Sequence, residues 1–353
     1  MPNPYIPLKT QQLNAYVTDA PSGVILNANE SFISLPENLR QGAAEVVARA
    51  LFNRYPDPYA TKLCQVYGDL IGVDPAYLTA GNGADELILI AVGAFAEAGD
   101  TVLTIAPDFS MYKFYSEVAG VNCVELGKGP AFDIDVDLVI SKIKESRPKI
   151  LAFSNPCNPT AQGLPRGDVL RVREAMDGVG ILLLDEAYMD FWDQPLLCAA
   201  HEYDNLIVLK TCSKNFGLAA VRLGFSAANA ELTGAMKKVK SVYNLSHVSQ
   251  EIGAYILKQK EYLNDCTRDI IKSRDELHGL LTAMAGRNEG VAVLGTNTNF
   301  VTLSLPGARD AYEALKKRGV YIRCFADGWL RVTAGTAEEN AVVVRELEAW
   351  LRG

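Results

Sequence analysis

The stretch of sequence that decides the fold runs from residue 206 to residue 225 and reads Leu206-Ile-Val-Leu-Lys-Thr-Cys-Ser-Lys-Asn-Phe-Gly-Leu-Ala-Ala-Val-Arg-Leu-Gly-Phe225. It opens with an apolar run that predicts a buried strand, and Lys214 follows just after that strand. Ligands of α/β proteins gather at the carboxyl ends of strands, and a lysine amine that is desolvated or close to other cations becomes a nucleophile. Ser213 and Arg222 are suited to binding a phosphate. Because a lysine in a loop is more often a solvated charge, the prediction of a ligand site depends on the rest of the chain.

Similar apolar runs recur on the N-terminal side of this stretch. They are short, they are bounded by Gly, Pro, Asp or Asn, and helical patterns separate them, which is typical of buried strands joined by crossover helices. With the two in the quoted stretch, the runs are Thr101-Val-Leu-Thr-Ile-Ala, Ile150-Leu-Ala-Phe-Ser, Ile181-Leu-Leu-Leu-Asp, Leu206-Ile-Val-Leu-Lys and Val221-Arg-Leu-Gly-Phe. The predicted fold class is α/β, with a large domain that holds a mainly parallel sheet between helices.

The chain is predicted to divide into three parts, because 353 residues exceed what one small core accommodates. Residues 1–45 are irregular and punctuated by proline, so we expect an N-terminal arm that packs on the body and the small domain. Residues 46–245 are expected to form the large domain, and residues 246–353 a smaller α+β domain. The elements expected there are a helical stretch at 246–285, strands at Asn299-Phe-Val-Thr-Leu-Ser-Leu, Val320-Tyr-Ile-Arg and Trp329-Leu-Arg-Val, a helix at Ala308–Arg318 and a last helix capped by Thr336.

Three further polar segments lie where predicted strands end or helices begin. Asp185 ends an apolar strand, where a buried carboxylate needs a cationic partner such as a pyridinium nitrogen, unless it caps a helix or accepts from backbone amides. Asn158 belongs to the second of two Asn-Pro steps, which fix a turn and point its amide outward. The glycine turn before Ala84 opens a helix whose free N–H groups predict an anion site, although a plain capped helix is the commoner outcome.

Composition excludes several other classes of function. The formal net charge of −8 argues against nucleic acid, whose phosphates require a basic face. The seven cysteines are dispersed and the three histidines do not have ligand spacing, so we expect reduced thiols and no metal site. The first residues lack the pattern of a signal peptide, and no apolar run is long enough to span a bilayer. We therefore expect a cytoplasmic protein without a membrane partner.

Together these segments resemble the fold-type I aminotransferases, which depend on pyridoxal 5′-phosphate. The match extends from about Ala28 to the C-terminus, and its motifs have the family's order and spacing. They are Asn27-Ala-Asn-Glu-Ser, Asn53-Arg-Tyr-Pro-Asp-Pro, Gly83-Ala-Asp-Glu, Ser154-Asn-Pro-Cys-Asn-Pro-Thr, Asp185-Glu-Ala-Tyr, Ser213-Lys-Asn-Phe-Gly-Leu and Leu330-Arg-Val-Thr-Ala-Gly-Thr. The first two resemble, within that family, the histidinol-phosphate aminotransferases, which exchange an amino group between histidinol phosphate and 2-oxoglutarate in histidine biosynthesis, giving imidazole-acetol phosphate and glutamate.

The resemblance implies a role for each matching residue. Lys214 would form the Schiff base with the cofactor and move the proton during catalysis, and Asp185 would pair with the pyridinium nitrogen. The remaining cofactor contacts would come from the ring-binding Phe109, Asn158 and Tyr188, and from the phosphate-binding Ala84, Asp85, Ser213, Arg222 and, from a second subunit of a homodimer, Tyr55. The substrate would contact Tyr16, Asn158, Arg323 and Arg331, with Arg331 on its α-carboxylate and Arg323 on its phosphate.

The same motifs leave three other functions open. An aromatic amino acid aminotransferase is the nearest, because related scaffolds accept phenylalanine or tyrosine in the same pocket, and Arg323 would then be a surface arginine. A pyridoxal-phosphate lyase such as a phosphothreonine decarboxylase shares the scaffold and the arginine at position 331. A non-catalytic regulator that binds the cofactor is disfavoured by the acidic charge and by the lack of an appended DNA-binding segment.

Overall fold

The computed structural model describes residue 3 and residues 5–13, 22–326 and 328–353. Its helices are α1 (Leu8–Gln12), α2 (Glu37–Ala48), α3 (Thr61–Ile71), α4 (Gly83–Phe95), α5 (Met111–Ala119), α6 (Val136–Ser146), α7 (Arg166–Ala175), α8 (Ala230–Val239), α9 (His247–Ile256), α10 (Lys260–Ala285), α11 (Ala308–Lys317) and α12 (Ala337–Leu351). Its strands are β1 (Val24–Ile25), β2 (Leu78–Asn82), β3 (Thr101–Ala106), β4 (Asn122–Gly127), β5 (Ile150–Ser154), β6 (Ile181–Asp185), β7 (Leu206–Thr211), β8 (Leu223–Ala227), β9 (Ala292–Val293), β10 (Phe300–Ser304), β11 (Val320–Tyr321), β12 (Arg323–Ala326) and β13 (Trp329–Thr333).

A seven-stranded sheet forms the centre of the large domain, in the order β2-β8-β7-β6-β5-β3-β4. All neighbouring pairs from β7 to β4 are parallel, and β8 runs antiparallel to both of its neighbours. Every residue of β5, β6, β7 and β8 is buried, as expected for strands covered by helices on both faces. The prediction of a mainly parallel sheet between helices is confirmed.

The direction of these strands collects the polar motifs at one edge of the sheet. The parallel strands β3, β5, β6 and β7 end there, and the antiparallel strand β8 begins there, directly after Arg222. Strand β2 also ends at this edge, because its Asn82 pairs with Leu223. Helix α4 begins at the next residue. Segments that are far apart in the sequence therefore meet above one edge.

A second, smaller core lies around the antiparallel sheet β12-β13-β10-β9. Helices α10, α11 and α12 pack on it through residues such as Leu281, Leu315 and Leu347, each fully buried. Helix α12 begins at a capping box, since the Thr336 hydroxyl accepts from the Glu339 amide and the Glu339 carboxylate accepts from the Thr336 amide. Strand β1 pairs in parallel with β11, and Leu26, one residue beyond it, belongs to this core. The domain limits at residues 45 and 245 stay a prediction.

The structure corrects several expected element boundaries. The irregular arm was expected to reach residue 45, but helix α2 begins at Glu37; only Leu39 and Ala43 of this helix are buried, so its apolar periodicity is weak. The expected strand at 221–225 begins at Leu223 instead, because 219–221 form a helical turn. The run at 320–323 is split between β11 and β12, which belong to different sheets. Strands β2 and β4 were not predicted; β4 is only partly buried and lies at the sheet edge.

Candidate active site

Lys214 lies in the loop between β7 and β8, at the edge of the sheet where the polar motifs meet. Its amine donates a hydrogen bond to the Ala28 carbonyl at 2.9 Å. Burial, and then the positive charge of Arg331, lower the pKa of the Lys214 amine to about 8. A larger share of this amine is therefore neutral and nucleophilic near pH 7 than is the case for an ordinary lysine.

Asp185 lies at the end of β6 and is 3% exposed. Its carboxylate accepts from the Ala187 amide and from the Tyr112 hydroxyl, both at 2.9 Å. Burial, together with the carboxylates of Asp108 and Asp85, raises the pKa of Asp185 to about 6. Within the described part of the chain, no cation hydrogen-bonds this carboxylate or forms an ion pair with it. A buried carboxylate without a cationic partner among these residues suits a cationic ligand.

Tyr188 is buried close to Asp185, and burial raises the pKa of its phenol to about 12. The Asn29 side-chain amide donates to the Tyr188 hydroxyl at 2.9 Å. Because the hydroxyl oxygen already accepts this bond, its own proton is directed to a different acceptor. Asn29 is 1% exposed, and Thr333 and Asn299 contact it through further hydrogen bonds.

A cradle suited to an anion lies at the N-terminus of helix α4. The Arg222 guanidinium reaches the Ser213 hydroxyl at 3.4 Å and the Asp85 carboxylate at 3.6 Å. Gly83 has a φ of +78°, and a Cβ there would come within 2.7 Å of the Arg222 guanidinium. The glycine thus leaves space between the arginine and the first amides of the helix, where free N–H groups favour negative charge.

Arg331 lies on β13 of the small sheet and contacts two residues of the predicted site motifs. It is 8% exposed, and its guanidinium donates to the Asn158 side-chain oxygen and to the Asn27 carbonyl. Its cationic carbon lies 5.3 Å from the centre of the Phe300 ring. Arg323 on the neighbouring strand β12 pairs directly with Arg331 and is exposed. Directly opposed residues of antiparallel strands point to the same face, so both arginines face the same side of the small sheet.

The comparisons with known proteins agree with this geometry. Residues 21–347 match the family model described as "Aminotransferase class I and II". The chain belongs to the class I and II aminotransferases. A histidinol-phosphate aminotransferase of Clostridium novyi is 39% identical over 329 residues, which cover 90% of this chain and 89% of the relative. The histidinol-phosphate aminotransferase of Parabacteroides distasonis is 32% identical, covering 90% and 88% of the two chains.

Solved structures show that this aminotransferase has the family fold. The histidinol-phosphate aminotransferase of Sinorhizobium meliloti, solved in complex with pyridoxal 5′-phosphate, superposes with a TM-score of 0.89 at 21% identity and covers 99% of this chain and 98% of its own. The L-threonine-O-3-phosphate decarboxylase of Porphyromonas gingivalis superposes with a TM-score of 0.79 at 19% identity, covering 94% and 100%. At these identities the similarity establishes the fold and not the reaction.

The aminotransferase brings most of the predicted site residues to one edge of the sheet, but not all of them. Phe109 contacts Tyr112 edge to face, with ring centres 5.9 Å apart. Tyr55 is 80% exposed and stacks on Tyr243 at 4.4 Å. Tyr16 lies outside the described residues.

Sequence reasoning missed two residues that contact the predicted site side chains directly. Tyr112 binds the Asp185 carboxylate, and Asn29 binds the Tyr188 hydroxyl. Both lie within motifs quoted above or beside Phe109, but neither their spacing nor their residue type indicated the partner. Across the described ranges, no group of His, Cys, Asp and Glu is arranged to hold a metal ion, and the helices lack an apolar stretch long enough to cross a bilayer.

Proposed function

We propose that this aminotransferase binds pyridoxal 5′-phosphate and exchanges an amino group between histidinol phosphate and 2-oxoglutarate. The observation that carries the proposal is Arg331, whose charge acts on the Lys214 amine, together with Arg323 directly opposite it on the neighbouring strand. Two cations on one face suit the two carboxylates of glutamate or 2-oxoglutarate, and they also suit the single phosphate of histidinol phosphate. The names of the relatives from Clostridium and Parabacteroides support the same reaction.

The chemistry of the residues fits the cofactor. The buried Asp185 carboxylate, with its raised pKa, suits a ring nitrogen that carries a proton. Arg222, Ser213 and the first amides of α4, those of Ala84 and Asp85, suit a phosphate. Phe109 offers an aromatic face for the ring, and Asn158 and Tyr188 offer polar groups for its hydroxyl. When bound, pyridoxal phosphate supplies an electron-accepting ring that stabilises negative charge at the substrate Cα.

The remaining chemistry is performed by the chain's own residues. The Lys214 amine, neutral in part near pH 8, would hold the cofactor and would take the proton from the substrate Cα. Asp185 would keep the ring nitrogen protonated, because a buried carboxylate without a cationic partner is stabilised by an opposite charge beside it. Arg331 clamps the carboxylate of glutamate or 2-oxoglutarate, and Arg323 reaches the phosphate of histidinol phosphate. Tyr16 is the further proposed substrate contact.

We also propose that the active unit is a homodimer with shared active sites. An exposed apolar surface lies beside the anion cradle, and Asn82 at the start of α4 binds the carbonyl of Asn244, the neighbour of Tyr243. The residues of this apolar surface are between 45% and 80% exposed; they are Leu51, Phe52, Tyr55, Tyr59, Val242 and Tyr243. A surface of this kind is typical of an interface, and symmetric dimers are the commonest assembly. In such a dimer Tyr55 would complete the phosphate site of its partner.

The free cysteines support a cytoplasmic setting.

The proposal is tested by a half-reaction screen. Purified enzyme loaded with the cofactor is mixed separately with histidinol phosphate, glutamate, phenylalanine, aspartate and phosphothreonine. We expect histidinol phosphate and glutamate to convert the lysine-bound absorbance to that of the aminated cofactor at the highest efficiency. Preference for phenylalanine would transfer the assignment to an aromatic aminotransferase. Release of carbon dioxide from phosphothreonine would identify a decarboxylase.

A further inference from the structure

A buried cluster that none of the proposed roles uses lies behind the ring-binding residues. It contains Lys128, which follows β4, Asp108, which follows β3, and Cys157, which follows β5. The side chains of Lys128 and Asp108 are 1% and 3% exposed, and Cys157 is 1% exposed. A buried lysine in contact with a thiol is an unusual arrangement, because a thiol is a poor acceptor for the amine.

The closest contact in this cluster joins the Lys128 amine to the Cys157 sulfur at 2.8 Å. This is shorter than the roughly 2.9–3.0 Å that is usual for an N–H···O bond, although sulfur is larger than oxygen. The amine also donates to the Pro107 carbonyl at 2.7 Å and lies 4.0 Å from the Asp108 carboxylate. The nitrogen and the sulfur are therefore in direct contact, and both side chains also contact the Pro107 carbonyl.

We propose that Lys128 and Cys157 form a covalent cross-link when the protein meets a peroxide. Hydrogen peroxide first oxidises the Cys157 thiol to a sulfenic acid and is itself reduced to water. The Lys128 ammonium gives one proton to the nearby Asp108 carboxylate, and the neutral amine attacks the sulfur. The S–O bond breaks, and the oxygen departs as a second water after taking up a proton. The product is a sulfenamide with an S–N bond; one peroxide has been consumed and one proton released.

A cavity brings a small oxidant as far as Lys128, whose amine contacts the Cys157 sulfur at 2.8 Å. A cavity of about 470 Å³ is lined by Asp108, Phe109, Lys128 and Phe132, among others. Burial raises the pKa of the Cys157 thiol, so the thiol is protonated at neutral pH and we expect its oxidation to be slow. The proximity of the amine, rather than an activated thiolate, is what favours the cross-link over further oxidation of the sulfur.

The cross-link would affect the neighbouring site. Asp108 accepts from the amides of Phe109 and Ser154, and the Ser154 hydroxyl accepts from the Asn158 amide. Drawing the Lys128 nitrogen and the Cys157 sulfur to covalent distance therefore shifts the turn that carries Asn158. We expect the cross-linked enzyme to bind its substrate less tightly and to recover on reduction by a dithiol.

The experiment treats the complete enzyme with hydrogen peroxide and analyses a proteolytic digest by mass spectrometry, with and without dithiothreitol. We expect a linked pair of peptides that contain residues 128 and 157, lighter by two hydrogens than their sum and absent after reduction. A linked pair that retains one additional oxygen, as an S–O–N bridge formed with a second peroxide, supports the cross-link equally. The peptides with the other six cysteines serve as internal controls.

Matched variants test the role of each partner. Lys128→Arg keeps the charge without a primary amine, and Cys157→Ser keeps the size of the side chain without sulfur; neither should give the linked pair. If wild-type protein yields only sulfinic or sulfonic acid at Cys157, or no change there while exposed Cys198 is oxidised, the proposal is wrong. Because the wild-type digest alone decides between these outcomes, the test holds even where a variant fails to fold.

Discussion

The surroundings of Lys214 set the pKa and the direction of its amine. Its lowered pKa of about 8 results from burial first and from Arg331 second. Both causes disfavour the ammonium form, so the neutral amine becomes available at a lower pH than in a free lysine. The Ala28 carbonyl fixes the direction of the amine through its hydrogen bond.

We therefore predict the pH dependence of cofactor capture. When pyridoxal phosphate is added to cofactor-free enzyme, the rate at which the lysine-bound absorbance forms should rise about tenfold per pH unit on the acid side and become constant above about pH 8. Arg331→Met removes a cation that lowers the pKa, so the plateau should begin at a higher pH. Stopped-flow absorbance measures both profiles.

Lys214→Ala is the control for that measurement. It should still bind the cofactor through Arg222, Ser213 and Asp185, but without the lysine-bound absorbance and without turnover. A Lys214→Ala enzyme that transaminates at the normal rate would refute the role of this amine.

Arg323 permits a prediction about substrate choice. A charge-assisted bond to a phosphate contributes roughly 1.5–3 kcal/mol, which corresponds to about a ten- to hundredfold change in affinity. Arg323→Ala should raise the KM for histidinol phosphate by that factor and leave phenylalanine turnover nearly unchanged. Steady-state kinetics on both substrates measure this.

Arg345→Ala, at an exposed arginine on α12, is the matched control and should alter neither KM. An equal loss on both substrates in Arg323→Ala would mean that the arginine is structural, and the aromatic alternative would then be preferred.

At the scale of elements, the capping box of α12 gives a prediction about stability. Thr336→Ala removes the hydroxyl that satisfies the Glu339 amide and should lower the free energy of unfolding by about 1 kcal/mol. Thr336→Ser keeps the cap and should be nearly neutral. Thr282→Ala, an exposed position inside α10, controls for the loss of a threonine elsewhere in a helix. Urea titrations of the variants measure the difference, and equal midpoints for Thr336→Ala and Thr282→Ala would contradict the prediction.

Elements with a clear pattern could be predicted from the sequence, and others could not. Strands β5, β6 and β7 are continuous apolar runs, so their composition alone predicts burial on both faces. Strand β4 lies at an edge and has exposed and partly buried residues without regular alternation, and α2 buries only two side chains, so neither gives a strong pattern. The direction of β8 depends on pairing with β2, a long-range contact that local pattern does not encode.

Some features of the candidate site could likewise be predicted from the sequence, and others could not. Strand-end residues such as Asp185 and Asn158 follow recognisable runs, so their positions at one edge could be predicted. The hydrogen bonds of Asn29 to Tyr188 and of Tyr112 to Asp185 join segments that are distant in the sequence. These contacts arise from tertiary packing, and only coordinates reveal them.

For the whole molecule, the shared site of the proposed homodimer can be tested by complementation. Tyr55→Ala and Lys214→Ala enzymes should each be weakly active or inactive alone. Once mixed and allowed to exchange subunits, a hybrid has one site with an intact Lys214 and an intact Tyr55 from the other chain, so activity should return. If Tyr55 acted within its own chain, the hybrid would have no complete site and mixing would restore nothing. Sedimentation checks that both variants remain dimers.

The position of β8 also has a consequence for how the chain is made. Strand β2 hydrogen-bonds to β8, its sole neighbour in the described sheet, in a register that joins Leu78 to Ala227. A ribosome therefore releases β2 and the apolar helix α4 well before the partner strand exists. We expect nascent chains that end before Leu223 to remain bound by chaperones and sensitive to protease, because their apolar surface stays uncovered. Chains in which Ala227 has left the exit tunnel should close the sheet, and the anion cradle at Gly83 would then assemble in the same event.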